Sequence, residues 1–515
     1  MDSIVLMRVS QELEKIDGVI QASAIMGTEN NKLLLREAGL LTDRGNEAGA
    51  NDIILAVSPS SPTLDAIVLD QARILLSDQR SAKDSFAEYT PKTLDGALDV
   101  MPDANLAVIS IPGEYAYYEA TKALDLGLHV LLFSDNVSLN DEIQLKTRAS
   151  EKGLFMLGPD CGTAIINSIP LGFANVVPTG RVGLVSASGT GLQHITCLLD
   201  TVNEGVSQAI GVGGRDLDDR VGGIMMLMGF EALNNDPDTE VIALVSKPPG
   251  PLTYRKLVDV ASRASKPCVI CFLGEDAIEE RYPNVYFENT LEGAAAKIIS
   301  ILSEGVKAGL NLPPLPMEWM EKSSRSLSKD SRGIIGLFSG GTLCYETILL
   351  LRAMISGSIY SNLSSHGTTP FEPGLKSDGH ILLDLGDDQF TRGKPHPMID
   401  LRDRCSRLVR SVEDPSIGIV LIDVVLGLNS HPDPASELIP ALNEASQRAS
   451  DMGRTITSIV SLCGSSNDPQ LLDVQKNAFL NAGALVTQSN AQAARVAAAI
   501  SMDDLTLLMK EDSGC

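Results

Sequence analysis

Short, nearly uninterrupted apolar runs recur along the chain at spacings that leave room for a helix between them. They are NDIILAV (51–57), NLAVISI (105–111), HVLLFS (129–134), LFMLGP (154–159), RVGLVSA (181–187), SQAIGVG (207–213) and EVIALVSK (240–247). CVICFLG (268–274), GIIGLFSG (333–340), HILLDLG (380–386), IGIVLIDVVLG (417–427), TITSIVSLCG (455–464) and ALVTQS (484–489) complete the series. A strand with one wet face alternates apolar and polar residues, whereas runs without that alternation suit strands buried on both faces. Amphipathic segments lie between them, such as GEYAYYEATKALDLG (113–127) and DEIQLKTRASEKG (141–153). The second sets Ile143 and Leu145 among charges and stops at Gly153, a C-terminal cap. Strand–helix–strand repetition predicts an α/β fold with parallel sheets and right-handed crossovers.

The main break in this pattern is GLNLPPLPMEWMEKSSRSLSKDSR (309–332), whose prolines disfavour helix and whose polar tail has little to bury; it reads as an interdomain linker. A weaker break falls at ANVVPTGR (174–181). Three regions follow: 1–178, 179–312 and 333–515, with 313–332 as the linker. Residues 1–100 form an N-terminal extension of the first region, with turn-like SPSSPTLD (58–65) and a polar stretch at 77–97.

At 515 residues the chain has room for roughly three to four domains of about 150 residues. Sixty-six acidic against 41 basic residues give a net charge of −25, which argues against a nucleic-acid-binding role. No apolar run reaches the roughly 18–20 residues of a membrane span, and MDSIVLMRVSQELE has no secretory core. The eight cysteines are scattered, and the closest pair, Cys268 and Cys271, sits inside the apolar run CVICFLG, so no zinc site is expected and reduced thiols and a cytoplasmic location are.

Two segments share a layout with chemical content. RVGLVSASGTGLQHITCLLD (181–200) and GIIGLFSGGTLCYETILLLR (333–352) each run from an apolar strand through a Ser/Gly/Thr turn into an apolar helix. Ser188 and Ser339 stand where N-caps belong. Gly189, Gly191, Gly340 and Gly341, beside Thr190 and Thr342, let backbone N–H groups approach a ligand. A helix N-terminus of this kind is an anion site. Neither turn matches the Walker loop or the dinucleotide fingerprint. Tight turns that simply need small residues are the alternative. Two such turns opening the same kind of element favour a ligand, and facing helix N-termini would clamp one phosphate from opposite sides.

The segment 125–168, with its GPDCG loop (158–162), followed by VGLVSASGTG (182–191), GVGGRD (211–216) and DPDTEVIALVSK (236–247), resembles the α subunit of succinyl-CoA synthetases. SGGTL (339–343) and HILLDLGDD (380–388) resemble the C-terminal domain of the β subunit. The closer resemblance is to the FdrA family, acyl-CoA-synthetase-like proteins with both parts in one chain; GPDCGTAIIN (158–167), GVGGRDL (211–217), SKPP (246–249), GGTLC (340–344) and DLGDD…GKPHPMID (384–400) carry it. It implies a CoA-binding-like Rossmann domain followed by two flavodoxin-like, doubly wound domains. Succinyl-CoA synthetases carry phosphate on a histidine, yet GEDAIEERYPNVYFENT (274–290) contains none, and the ATP-grasp portion expected ahead of the β-like part is replaced by the linker. The resemblance therefore implies a subunit of a phosphate-using carbamoyltransferase of the oxamate type, in anaerobic allantoin breakdown and purine nitrogen use. It would convert oxalurate plus phosphate to oxamate plus carbamoyl phosphate with partner subunits in an oligomer. Inorganic phosphate is then the substrate, and CoA is allowed but not required. The alternatives are an acyl-CoA ligase component and a non-catalytic scaffold binding CoA or acyl phosphate.

Candidate side chains follow. Arg215 could grip a carboxylate, or pin a loop against Asp216. Lys247 ends a strand in SKPP and could face phosphate, or sit in a plain turn. The segment 384–400 concentrates Asp384, Asp387, Asp388, Lys394, His396 and Asp400. His396, held between prolines, is a candidate general acid for the leaving amide, or a capped structural histidine. Asp387 and Asp388 could hold Mg²⁺, or cap a helix. His194, Cys161 and His129 read as structural.

Overall fold

Every apolar run singled out above forms a strand in the computed structural model. It describes residues 3–16, 18–50, 52–59, 64, 68–75, 91–275, 282–303, 309–363, 367–372, 379–391 and 394–508. The chain separates into two compact units, Met1–Pro102 and Asp103–Cys515.

In the first unit, β1 (Val19–Met26) pairs with β2 (Ile53–Pro59). The helix Ser3–Glu14 lays Leu6, Val9 and Leu13 against Ala22 and Ala24 of β1. β2 contributes Ile53, Leu55 and Val57 to this core and Ile54 and Ala56 to a second one around Leu35. Both of its faces are thus covered, as its uninterrupted apolar run requires. The pairing is nonetheless antiparallel, not the parallel one expected, because apolar content reports coverage and not strand direction.

Among the described residues the second unit holds three sheets. β3 (Leu106–Ile109), β4 (His129–Leu132) and β5 (Met156–Leu157) are parallel, with the helices Gly113–Asp125 and Leu139–Glu151 in the crossovers. Gly127 and Gly153 follow these helices at positive φ, as glycine caps do.

The next sheet comprises β6 (Thr163–Ile166), β7 (Ile169–Gly172), β8 (Thr179–Ser186), β9 (Val206–Gly211), β10 (Val241–Ser246), β11 (Cys268–Phe272) and β12 (Val285–Phe287). Its order is β12-β11-β10-β8-β9-β6-β7, parallel except for the β6–β7 hairpin, which joins β9 antiparallel. Residues 163–172 thus complete the sheet of the 179–312 region.

The last sheet comprises β13 (Gly333–Phe338), β14 (Ile359–Ser361), β15 (Thr368–Pro370), β16 (His380–Asp384), β17 (Ile417–Val425), β18 (Thr457–Cys463) and β19 (Leu485–Thr487). It is parallel throughout, in the order β15-β14-β16-β13-β17-β18-β19.

Helices from the two large sheets share one core: Leu192, Ile195 and Leu198 of Gly189–Asp200 and Ile298 of Leu291–Leu302 with Leu343 and Ile348 of Gly341–Met354 and Val496 of Asn490–Met502. The expected linker is partly helical, over Met317–Ser326, with Met320 fully buried. Its prolines end at Pro316, at the N-cap, where a missing N–H costs the helix nothing. Among the described residues no helix is long and apolar enough to cross a membrane.

Candidate functional site

In open α/β sheets the loops after the strands where the order reverses form a crevice. β8 lies between β10 and β9, and β13 lies between β16 and β17, so each of the two Ser/Gly/Thr turns leaves its sheet at such a point.

The first turn is self-contained. The Ser186 hydroxyl accepts the Ser188 N–H (3.0 Å) and donates to the Ser188 carbonyl (2.7 Å). Ser188 is extended and its Oγ accepts the Gly191 N–H at 2.9 Å, as an N-cap should. The second turn differs from expectation: Gly340, not Ser339, is the N-cap, with no side-chain bond. Ser339 donates its hydroxyl to both Asp423 oxygens (3.1 Å) and its N–H to one of them (2.8 Å), while the Gly340 N–H reaches the other (2.9 Å). Asp423 lies fully buried in β17 and pairs with buried Arg404 at 2.7 Å. This internal carboxylate occupies the N–H groups of Ser339 and Gly340 and takes both residues out of the expected phosphate contacts.

The two turns meet. Ser188 Oγ and Thr342 Oγ1 are hydrogen-bonded at 2.6 Å, and a methyl group on Gly340 would come within 2.7–2.9 Å of Thr190. Ser188, Gly189, Thr190 and Gly191 therefore adjoin Gly340, Gly341 and Thr342. Among the described residues no acceptor takes the backbone N–H groups of Gly189 and Thr190 or of Gly341 and Thr342.

Charged groups surround this junction. Lys247, at the end of β10, makes no ion pair or hydrogen bond among the described residues, yet it acts electrostatically on Asp160 and Asp384. Asp160, in the GPDCG loop, is open to water but closely surrounded by protein; desolvation, then Asp135 and Asp388, raise its pKa to about 6. Asp384, at the end of β16, is buried, and burial pushes its pKa to about 7 against the pull of Lys247. A methyl group on Gly341 would run into its carboxyl.

His396 reaches the same region: a methyl on Gly386 would lie 2.9 Å from its Nε2 and 3.2 Å from Asp384 Oδ1. Its ring packs on Phe173 and its Nδ1 accepts the Met398 N–H at 3.2 Å. Burial lowers its pKa to about 4, so at neutral pH it is an uncharged imidazole, a hydrogen-bond donor and not the general acid expected.

Arg215 pairs with Glu142 at 2.9 Å and donates to the Val137 carbonyl at 2.8 Å, instead of pinning Asp216. Asp216 is bound by the buried Lys146 ammonium at 2.8 Å and accepts the Met225 and Met226 N–H groups. Arg215 remains near enough to lower the Asp160 pKa. Asp387 accepts the Gln389 N–H at 3.0 Å ahead of the short helix Asp388–Thr391, a capping position. No group of three or more metal-ligating side chains occurs among the described residues. Lys394 lies 3.7 Å from Asp403, and Asp400 binds Arg402 at 2.7 Å.

His194 points away from the crevice, its Nε2 accepting the Asn490 N–H at 3.2 Å. Cys161 is buried, its thiol directed at the Gly211 carbonyl, and desolvation raises its pKa to about 12. His129 Nδ1 accepts the Phe155 N–H. Three members of the site carried a readable but unused signal: Asp160 inside GPDCG, Asp423 as a lone acid within an apolar strand, and Asn362, which exchanges two 3.0 Å hydrogen bonds with the Asp384 backbone.

A CoA-ligase family model matches residues 337–500, and one for the AllF heavy metal-associated domain matches residues 1–91. YahF of Escherichia coli (strain K12) is 40% identical over 492 residues, spanning 95% of this chain and 94% of YahF. Subunit alpha 2 of the ADP-forming succinate–CoA ligase of Archaeoglobus fulgidus is 27% identical over 229 residues, 42% of this chain and 76% of that protein. Among solved structures, the apo dinucleotide-forming acetyl-coenzyme A synthetase 1 of Ca. Korarchaeum cryptofilum is similar at 17% identity and a TM-score of 0.31, over 82% of this chain and 90% of that one. Residues 1–91 contain no cysteine and no histidine, so they offer a heavy metal neither thiolate nor imidazole, and their soft donors are the thioethers of Met1, Met7 and Met26.

Proposed function

The chain belongs to the family of Escherichia coli YahF, related to the CoA ligases, and from that kinship we propose that it is the phosphate-holding subunit of a CoA-ligase-type acyl-transfer enzyme. The observation that carries this reading is the Ser188–Thr342 hydrogen bond, which locks two helix N-termini together beside an ammonium without an ion-pair partner, Lys247. Open N–H groups on both helices, the positive dipole ends and a cation within one crevice favour a tetrahedral oxyanion. Held there, phosphate is oriented and partly desolvated against an acyl carbon.

Residues 274–290 supply no histidine to carry a phosphoryl group, which favours free phosphate as the reactant. The carbamoyl version of this chemistry, phosphate plus oxalurate giving carbamoyl phosphate and oxamate, needs neither a phosphohistidine nor ATP and is our first assignment of substrate. Partner subunits complete the enzyme in this reading. The second reading, supported by the CoA-ligase relatives, is thioester formation with nucleotide and histidine functions on other chains.

The complex copurified with the chain separates the two. Carbamoyl phosphate formed from oxalurate and phosphate supports the first assignment; ADP and a thioester formed from ATP, CoA and a carboxylic acid would replace it with the second. For the isolated chain, phosphate at a hundred times its Kd should stabilise folding by about 2.7 kcal/mol. A melting temperature indifferent to phosphate would sink the phosphate site itself.

A further inference from the structure

We infer that the Asp384 carboxyl is the proton carrier of this crevice, protonating the leaving nitrogen as phosphate displaces it; this rests on the phosphate reading above.

The geometry is specific to Asp384. It terminates β16, the strand beside β13, so its side chain emerges against the first residue of the helix Gly341–Met354. There a methyl on Gly341 would strike its Oδ2. Its backbone is clamped from both sides by Asn362, and Oδ1 accepts the Gly386 N–H at 2.9 Å. This leaves Oδ2 on the side of the open N–H groups. His396 Nε2 converges with Oδ1 on the space over Gly386. The charged groups acting on Asp384 are Lys247, which favours ionisation, and Asp387 and Asp423, which oppose it; burial, reinforced by the two carboxylates, outweighs Lys247 and the Gly386 N–H bond. The carboxyl is therefore partly protonated at neutral pH, a state that neutral His396 cannot replace as a proton source.

The step balances. A phosphate oxygen bonds to the carbamoyl carbon of oxalurate, and the bond from that carbon to the oxamate nitrogen breaks with its electron pair going to nitrogen. The Asp384 proton follows onto that nitrogen. The hydroxyl proton of the attacking phosphate restores Asp384, so no outside acid is consumed.

The test compares wild type, Asp384→Asn and Asp160→Asn in the copurified complex, with oxalurate and phosphate as substrates. Asp384→Asn should lower kcat by about 10²–10⁴-fold, in line with the loss of a positioned acid, and remove the ionisation near pH 7 from the kcat profile at saturating phosphate. The phosphate concentration for half-maximal thermal protection should move by no more than about threefold, since the carboxyl is not among the phosphate's anion-binding donors. Infrared difference spectra give a readout free of turnover: a protonated-carboxyl band that titrates near pH 7 in the wild type and is missing in Asp384→Asn. Unchanged kcat and pH profile in Asp384→Asn, a band that does not titrate between about pH 5 and 9, or transfer of these effects to Asp160→Asn would each overturn the inference. A wild type that neither binds phosphate nor turns over sinks the phosphate reading and this inference together. Turnover with an unaffected Asp384→Asn sinks this inference alone.

Discussion

The turns at 188–191 and 339–342 are near copies in sequence and opposites in electrostatics. Ser188 caps its own helix and bonds across to Thr342, so the first turn offers its open N–H groups to whatever enters. Ser339 turns inward, and its N–H and that of Gly340 are already neutralised by Asp423, which Arg404 braces. The second helix thus brings fewer open donors, starting at Gly341, and a buried ion pair fixes their position. A helix N-terminus is an anion site only for those N–H groups the protein has not already satisfied.

Removing the internal anion should break the comparison most. Asp423→Ala leaves Arg404 buried and uncompensated, which should cost about 3–5 kcal/mol in urea unfolding. A loss below 1 kcal/mol would mean that Arg404 finds water and that the second turn is not pre-filled.

The pH dependence of stability comes next. The Asp384 pKa is raised in the folded protein, so the unfolded chain ionises first as pH climbs from about 4, and the native state loses relative stability until about pH 7. Asp384→Asn removes that loss. Its melting temperature relative to wild type, without phosphate, should rise across this window and level off above it, at about 1.4 kcal/mol per tenfold change in proton affinity. His396 works in the opposite sense, because its folded pKa is lowered: wild-type stability falls as pH drops from about 6.5 towards 4, and His396→Gln should flatten that acid limb. A pH-independent difference for either variant contradicts its assigned burial.

Packing between the turns can be probed with Gly340→Ala, whose new methyl would press on Thr190; overpacking of this kind costs about 1–3 kcal/mol, and phosphate protection should weaken with it. The smallest effects sharpen the contrast within the serines. Ser188→Ala loses a cap and the bond to Thr342, about 1–2 kcal/mol, whereas Ser339→Ala keeps both backbone N–H bonds to Asp423 and should lose only about 0.5–1 kcal/mol. Equal losses would mean that the two serines hold their turns in the same way.

Much of the architecture was legible because burial on both faces leaves a direct trace in composition, as in IGIVLIDVVLG, all nine strand residues of which are buried. β1 was not legible: its burial alternates irregularly and Ile20 is 72% exposed. The β6–β7 hairpin was missed because TAII and IPLG are four-residue strands, too short to show a period. The helix Met317–Ser326 was hidden behind prolines that lie outside it. In the site, the small residues of the two turns and Lys247 could be picked out locally. The burial that makes His396 a neutral donor and leaves Asp384 protonatable could not, because it depends on residues far away in sequence.

The sequence by itself determined the α/β alternation, the positions of most strands and the two turns able to present backbone N–H groups, since each of these follows from local pattern and residue size. Only the tertiary structure decided which of those N–H groups remained open. Asp423 and Arg404 fill part of the second turn from elements far along the chain, while β8 and β13, in separate sheets, bring Ser188 and Thr342 to 2.6 Å through a shared helical core. Proton affinity was settled at the same level, for desolvation is a property of everything packed around a group and not of its neighbours in sequence.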